Sequence, residues 1–297
     1  MTNKVKSKNI QSVKRYSTSL DYENLVPIFV VWELTLACNL SCNHCGSRAG
    51  KARPSELNLS ECYDIINQLK KLGTREIALI GGEAFLKKDW LKVVEKITEV
   101  GIDCSMQTGA LNFGEDQILN AKNAGIKNVG ISIDGLKEYH NELRGNINSF
   151  DSALNSLKFL SKHNIQSSIN TTITRQNKEQ LSEILDLLIE HKVKNWQLQI
   201  AVAMGNAVDN ENLILQPYEL KDIHDNVAKL YIKALSNNLL IQPGNNFGYF
   251  GPYEHIWRGG NFGYFGGCSA GHTAMGIESD GTIKGCPSLR AVITIWA

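Results

Sequence analysis

Residues 76–107 read EIALIGGEAFLKKDWLKVVEKITEVGIDCSMQ. The apolar run Glu76–Ile80 stops at Gly81-Gly82, the pattern of a short buried strand closed by a turn. From Trp90 to Val100 apolar residues recur at helical spacing, and Gly101 supplies a C-terminal stop. Ile102–Gln107 is again a strand. Two strands joined by one helix specify a parallel βαβ unit with a right-handed crossover.

The same alternation extends in both directions. Upstream, Ile28–Trp32 is a strand and Leu59–Leu72 a helix, with Asn58 or Ser60 as its cap. Downstream come helix Glu115–Ala124, closed by Gly125, and strand Lys127–Ile133, ended by Asp134-Gly135. Helix Phe150–His163, strand Ile165–Ile173, helix Lys178–His191, strand Trp196–Val202 and helix Tyr218–Leu235 follow. Strand and helix therefore alternate six times, too few for a closed eightfold barrel. A doubly wound open sheet and an incomplete barrel both satisfy the pattern. In either, ligands bind at the carboxyl ends of the strands.

Of 297 residues, 42% are hydrophobic and 21% charged, which suits a well-filled globular core and excludes wholesale disorder. No apolar run reaches the ~18 residues of a membrane span, and Met1–Leu20 lacks the apolar stretch of a secretory signal. A cytoplasmic protein without a membrane partner is expected. Lys4, Lys6, Lys8, Lys14 and Arg15 precede any acidic residue, so the remainder carries 26 basic residues against 30 acidic. That acidic body argues against nucleic-acid binding, and residues 1–26 are expected to form a solvated basic tail.

Seven cysteines, an odd count without a secretion signal, do not make a disulfide framework. Cys62 and Cys104 lie in apolar-periodic segments and read as small core residues. Cys38, Cys42 and Cys45 instead crowd into eight residues of largely polar setting directly after the first strand. Zinc prefers a second C-x2-C pair, which is not nearby. Three thiolates alone leave one iron of a four-iron cluster open.

The C-x3-C-x2-C spacing in a βα chain resembles the radical S-adenosylmethionine (SAM) superfamily. Gly81-Gly82-Glu83 is similar to that family's segment against the SAM amino group, although Ala84 replaces the usual proline. Ser132 and Arg144 resemble its other SAM contacts. Alone, the first reads as a satisfied strand hydroxyl and the second as a surface arginine. His44 occupies the family's aromatic position and implies packing beside adenine. Thr108-Gly109 lines the same mouth or is a plain turn. The resemblance implies an α/β fold, an incomplete (β/α)6 TIM-type barrel over residues 27–237, with a short C-terminal β-hairpin extension.

Cys268, Gly281 and Cys286, around the turn Ser279-Asp280-Gly281, resemble the start of a SPASM domain over residues 268–297. Further SPASM cysteines are missing, so a lone, loosely held hairpin is expected, with the auxiliary Fe–S site empty or only weakly occupied; a filled site would need another ligand such as His272. Residues 238–267 form a Gly/aromatic linker in which Asn-Phe-Gly-Tyr-Phe-Gly occurs at Asn246–Gly251 and Asn261–Gly266. It reads as a duplicated linker or, second, as an aromatic substrate surface. The implied activity is reductive cleavage of SAM by a [4Fe-4S] cluster, giving a 5′-deoxyadenosyl radical that abstracts hydrogen, with a peptide as leading substrate. A flavodoxin- or ferredoxin-type donor is implied. Sulfatase-maturase-like and tetrapyrrole- or cofactor-modifying enzymes, or an inactive metal-binding scaffold, are the alternatives.

Overall fold

The computed structural model describes residues 17–248, 250–257 and 267–289. Helix α1 (Ser19–Glu23) precedes strand β1 (Phe29–Thr35). Then come α2 (Leu59–Lys71), β2 (Glu76–Gly81), α3 (Trp90–Glu99), β3 (Asp103–Thr108), α4 (Glu115–Asn123) and β4 (Asn128–Ser132). Two helices, α5 (Lys137–Arg144) and α6 (Ser149–Lys162), lead to β5 (Gln166–Ile173), α7 (Leu181–Glu190), β6 (Asn195–Ile200) and α8 (Leu220–Ser236). The chain continues with β7 (Leu240–Pro243), α9 (Glu254–Trp257), β8 (Ala274–Ile277) and β9 (Ile283–Lys284).

Strands β1 to β7 lie in space in their sequence order, every neighbour parallel. This is the expected six-unit α/β arrangement, an open sheet with β7 at one edge and β9 at the other. No described helix is long and apolar enough to cross a membrane.

Period-two alternation sorts the side chains. Val30, Trp32, Ile77, Leu79, Cys104, Met106, Val129, Ile131, Ile169, Trp196 and Leu198 are fully buried on the helix-facing side. They meet Ile66, Val93, Ile97, Ile118, Leu157, Ile184, Leu188 and Val227 from the helices. Each such aliphatic side chain contributes about 1.5–3 kcal/mol by leaving water. Cys62 and Cys104 belong to this core, as expected. The lumen face differs. It presents Asp103, Ser105 and Gln107 on β3, and Asn128 on β4. It continues with Gln166 and Ser168 on β5, Asn195 and Gln197 on β6, and Gln242 on β7.

Four expectations need correction. The C-terminal hairpin is not alone. β8 pairs in parallel with β1, from Phe29↔Ala274 to Trp32↔Ile277, and β9 pairs antiparallel with β8. Its turn is pinned by Glu33, whose Oε1 accepts from Ser279 Oγ at 3.1 Å and from Arg53 Nη2 at 2.8 Å. Residues 18–26 do not belong to a solvated tail, because Thr18 caps α1 and Asp21 pairs with Arg75 at 2.6 Å. The five basic residues of the expected tail lie outside the described ones. Within 238–267, β7 joins the sheet, so that stretch is more than a linker. Finally, two rings of the first aromatic repeat are turned inward rather than onto a surface: Phe247 and Phe250 are buried and pack on His224, with ring centroids at 6.0 and 5.3 Å. The second repeat lies outside the described residues.

Candidate active site

A cleft of about 350 Å³ opens at the carboxyl ends of β1 to β6. Cys38, Cys42, His44, Cys45, Gly81, Gly82, Glu83, Thr108, Gly109, Ser132 and Arg144 all line it. Cys268, exposed, and Cys286, half-buried, do not.

The cysteine loop leaves β1 and is closed at its neck, where Cys38 N donates to Gly50 O at 3.1 Å and Gly50 N to Leu36 O at 2.9 Å. The end of α5 braces one side: Asn43 N donates to Leu143 O at 2.8 Å and Ser41 N to Arg144 O at 3.2 Å. The segment after β6 braces the other. Asn206 Nδ2 donates to Cys42 O at 2.9 Å, Asn206 N to Cys45 O at 2.9 Å, and Asn210 Nδ2 to Asn43 O at 3.1 Å. A Cβ on Gly205 would lie 2.1 Å from Cys45 O, so only glycine lets these segments meet.

Each thiol has a nitrogen donor. Leu40 N reaches Cys38 Sγ at 3.4 Å, Ala49 N reaches Cys45 Sγ at 3.3 Å, and Arg144 Nη1 lies 3.9 Å from Cys42 Sγ. Leu40, Cys42 and Leu111 form a small buried apolar cluster, against which Cys38 and Cys45 pack. Burial pushes the Cys38 thiol up to about 12. It raises that of Cys42 too, against the pull of Arg144. Neither is thus a free thiolate nucleophile near neutrality; a metal would have to draw off the proton. Among the described residues no three His, Cys, Asp or Glu side chains are arranged to hold a single ion, as a tetrahedral zinc site requires. A four-iron cube takes each thiolate on a different iron, and donors to sulfur tune such a cluster. The donor set fits that group.

Gly81 and Gly82 are required by the chain itself. Cβ atoms there would lie 2.0 Å from Thr35 O and 2.2 Å from Ala37 O. In the same contact Gly82 N donates to Thr35 O and Glu83 N to Ala37 O, both at 2.8 Å. The turn is therefore stapled under the root of the cysteine loop, a reason the sequence did not disclose. Glu83 is buried and accepts from Thr108 Oγ1 and, at 2.6 Å, from Gly109 N. Burial nonetheless raises its carboxyl to about 7, so an incoming cation would favour its charged form.

Arg144 is no surface arginine. Its Nε and Nη2 lie 2.8 and 2.6 Å from one oxygen of Asp134. Asp134 also accepts from Thr172 N at 2.8 Å, and Arg144 holds its carboxyl below the usual range despite burial. His44 Nε2 is 3.8 Å from Asp134, while burial holds the ring near 4 and hence neutral at pH 7. The buried His44 Nδ1 has no hydrogen-bond partner, an orphaned polar atom on a ligand-sized cleft. Asp134, which the sequence marks only as a strand end, was missed as a site residue. So were Gln107, Asn170, Thr172 and Gln199 in the cleft wall.

Comparison with known proteins agrees with this geometry. The sequence model described as Radical SAM superfamily matches residues 32–188, more than half of the chain. AdoMet-dependent heme synthase of Oleidesulfovibrio alaskensis is 28% identical over 197 residues, covering 65% of this chain and 50% of the relative. Mycofactocin maturase MftC of Mycobacterium tuberculosis is 26% identical over 279 residues, 93% of this chain and 67% of the relative. SuiB of Streptococcus suis, solved bound to precursor peptide SuiA, superposes with a TM-score of 0.70 at 22% identity, covering 91% of this chain and 61% of SuiB. That last likeness concerns the fold. Across several curated relatives the chain spans about half of their length. With the family matched across the strands and loops that build the cleft, this chain belongs to the radical SAM superfamily.

Proposed function

We propose that this chain is a radical SAM enzyme that removes a hydrogen atom from a peptide. The observation that carries the reading is the gathering of three donor-supported thiols, the Gly81–Glu83 turn, Ser132 and Arg144 around one cleft. Cys38, Cys42 and Cys45 would hold a [4Fe-4S] cluster, leaving one iron open for SAM. When bound, the two groups supply one-electron cleavage of SAM and a 5′-deoxyadenosyl radical.

The chain's own residues bind, orient and shield. Glu83, held by Thr108 and Gly109, would receive the SAM ammonium, and Arg144 and Ser132 would meet its carboxylate. Asp134 fixes the Arg144 plane so that Nη1 stays near Cys42. His44, kept neutral, can stack on adenine without adding charge. Leu40 and Leu111 give Cys42 an apolar flank. The electron would come from an external flavodoxin- or ferredoxin-type donor. In this reading residues 27–237 form the catalytic core and 268–297 a partial SPASM-like module.

A peptide is favoured over a tetrapyrrole because the alignment to MftC of Mycobacterium tuberculosis runs through 93% of the chain, against 65% for the heme synthase, although two other maturases align over 57% and 59%. The tetrapyrrole reading stays second on the strength of that same relative. The test is mass spectrometry after anaerobic turnover with SAM and dithionite. Short peptides encoded beside this gene should change mass, and coproporphyrin should not. The reverse result would replace the peptide reading by its rival.

A further inference from the structure

The segment between the cysteine loop and α2 carries an acidic residue that lines no part of the cleft and yet holds the segments that build it. Glu56 is largely buried, and its Oε1 accepts from Thr35 Oγ1 and Leu36 N at 2.9 Å and from Arg53 N at 3.1 Å. Its other oxygen faces Lys87 Nζ at 3.4 Å. Burial opposes the charge, but the donors of Leu36, Thr35 and Arg53 hold the carboxyl below its usual range. Thr35 and Leu36 are the root of the cysteine loop. Leu36 O accepts from Gly50 N at 2.9 Å at the neck of the loop, and Thr35 O accepts from Gly82 N at 2.8 Å beneath the Gly81–Glu83 turn. Thr35 Oγ1 also accepts from Ala37 N at 3.0 Å, and Ala37 O in turn accepts from Glu83 N. Lys87 closes the same turn, its N donating to Ala84 O at 3.2 Å. Glu56 itself stands on a fixed base. Arg53 Nη2 donates to Glu33 Oε1 at 2.8 Å and its Nε to Ser279 Oγ at 3.0 Å, while Leu57 N donates to Ser279 O at 2.8 Å.

We propose that Glu56 is a positioning residue whose carboxylate, anchored on the β8–β9 turn, fixes where Glu83 stands relative to the three thiols. This rests on the radical SAM reading above. Glu56 touches neither group that the cleft would hold and acts through Thr35 and Leu36. Its charge is already paired with Lys87, so what it lends the site is reach rather than field. Both the cysteine loop and the Gly81–Glu83 turn hang from the same few backbone atoms, and a displacement of about 1 Å there is felt in a preorganised site. Without an acceptor at this point, Leu36 N and Thr35 Oγ1 must find other partners, and the root moves to meet them.

The test is anaerobic calorimetry of SAM on the reconstituted chain, with iron counted on the same samples. Glu56→Gln keeps an acceptor oxygen at full reach and loses the charge, whereas Glu56→Asp keeps the charge and withdraws it by one methylene. The Gln variant should bind SAM within about threefold of wild type. Glu56→Asp and Glu56→Ala should bind about tenfold more weakly, at undiminished iron content and binding stoichiometry. If Glu56→Ala does not fold, the Gln and Asp pair still decides. Wild-type affinity in the Asp variant, at full or at reduced stoichiometry, overturns the inference, the second case leaving Glu56 a role in stability alone. Weak binding by Gln beside normal binding by Asp overturns it too, because charge and not reach would then matter. A wild-type chain that carries about four irons and binds no SAM sinks instead the radical SAM reading beneath it.

Discussion

Arg144 places two nitrogens on a single oxygen of Asp134, at 2.8 and 2.6 Å, with both side chains buried beneath Cys42. Removing the carboxylate strands a guanidinium that burial has already desolvated. Asp134→Ala should lower stability by about 3–5 kcal/mol, measured by urea unfolding, with Asp134→Asn losing less. An Ala variant as stable as wild type would show that Arg144 finds water instead.

Gly82→Ala tests the stapled turn. Its methyl would collide with Ala37 O, so the Gly81–Glu83 turn or the root of the cysteine loop must move. Iron content after reconstitution and SAM affinity should both fall, although Gly82 is no cluster ligand. Normal values for both would mean that the turn tolerates displacement.

SAM affinity tests the two charges. Glu83→Ala or Arg144→Ala should each lose about tenfold or more, from about 1.5–3 kcal/mol of charged hydrogen bonding. Equilibrium dialysis measures it. Unchanged affinity in Arg144→Ala would confine that residue to holding Asp134.

Acid sensitivity should come in part from buried His140, which shares its depressed pKa with His44. It accepts from Asp134 N at 3.1 Å, and burial depresses it to about 4. An unfolded histidine protonates near 6.5 while the folded one stays neutral, so its contribution is present above pH 6.5 and lost as pH falls toward 4. The loss is up to about 3 kcal/mol. Glu83, raised by burial, acts oppositely, its contribution being lost as pH rises toward 7. Each is isolated by comparing wild type with His140→Gln or Glu83→Gln at every pH. Parallel curves for wild type and His140→Gln would rule out the histidine.

Iron and sulfide content tests the C-terminus. About four irons per chain are expected in wild type and equally in the Cys268→Ala, Cys286→Ala double variant. His272 packs toward Tyr22, with ring centroids 6.2 Å apart, and no metal-ready trio forms among the described residues. About eight irons in wild type, falling to four in the variant, would establish an auxiliary cluster.

What the sequence disclosed was local. The thiols sit within eight residues, and the strand–helix periods carry their own punctuation. α5 escaped notice because only His140, Leu143 and Arg144 of its eight residues are buried, although Gly145, in the left-handed region, marks its end. Partnerships across the chain carry no local signal. Asn206 supports Cys42 from 164 residues away, and β8 returns from beyond every helical crossover to lie against β1. The amides of the lumen were hidden differently: in a strand, polar residues alternating with apolar ones ordinarily signify solvent.

The central claim is that three thiols and one cleft make a SAM-cleaving centre. Its most direct test is release of 5′-deoxyadenosine from SAM by the reconstituted, dithionite-reduced chain, wild type beside Cys38→Ala, Cys42→Ala and Cys45→Ala. Wild type should release the nucleoside and each variant should release none. Release by Cys45→Ala at the wild-type rate, or none from wild type carrying four irons, would contradict it.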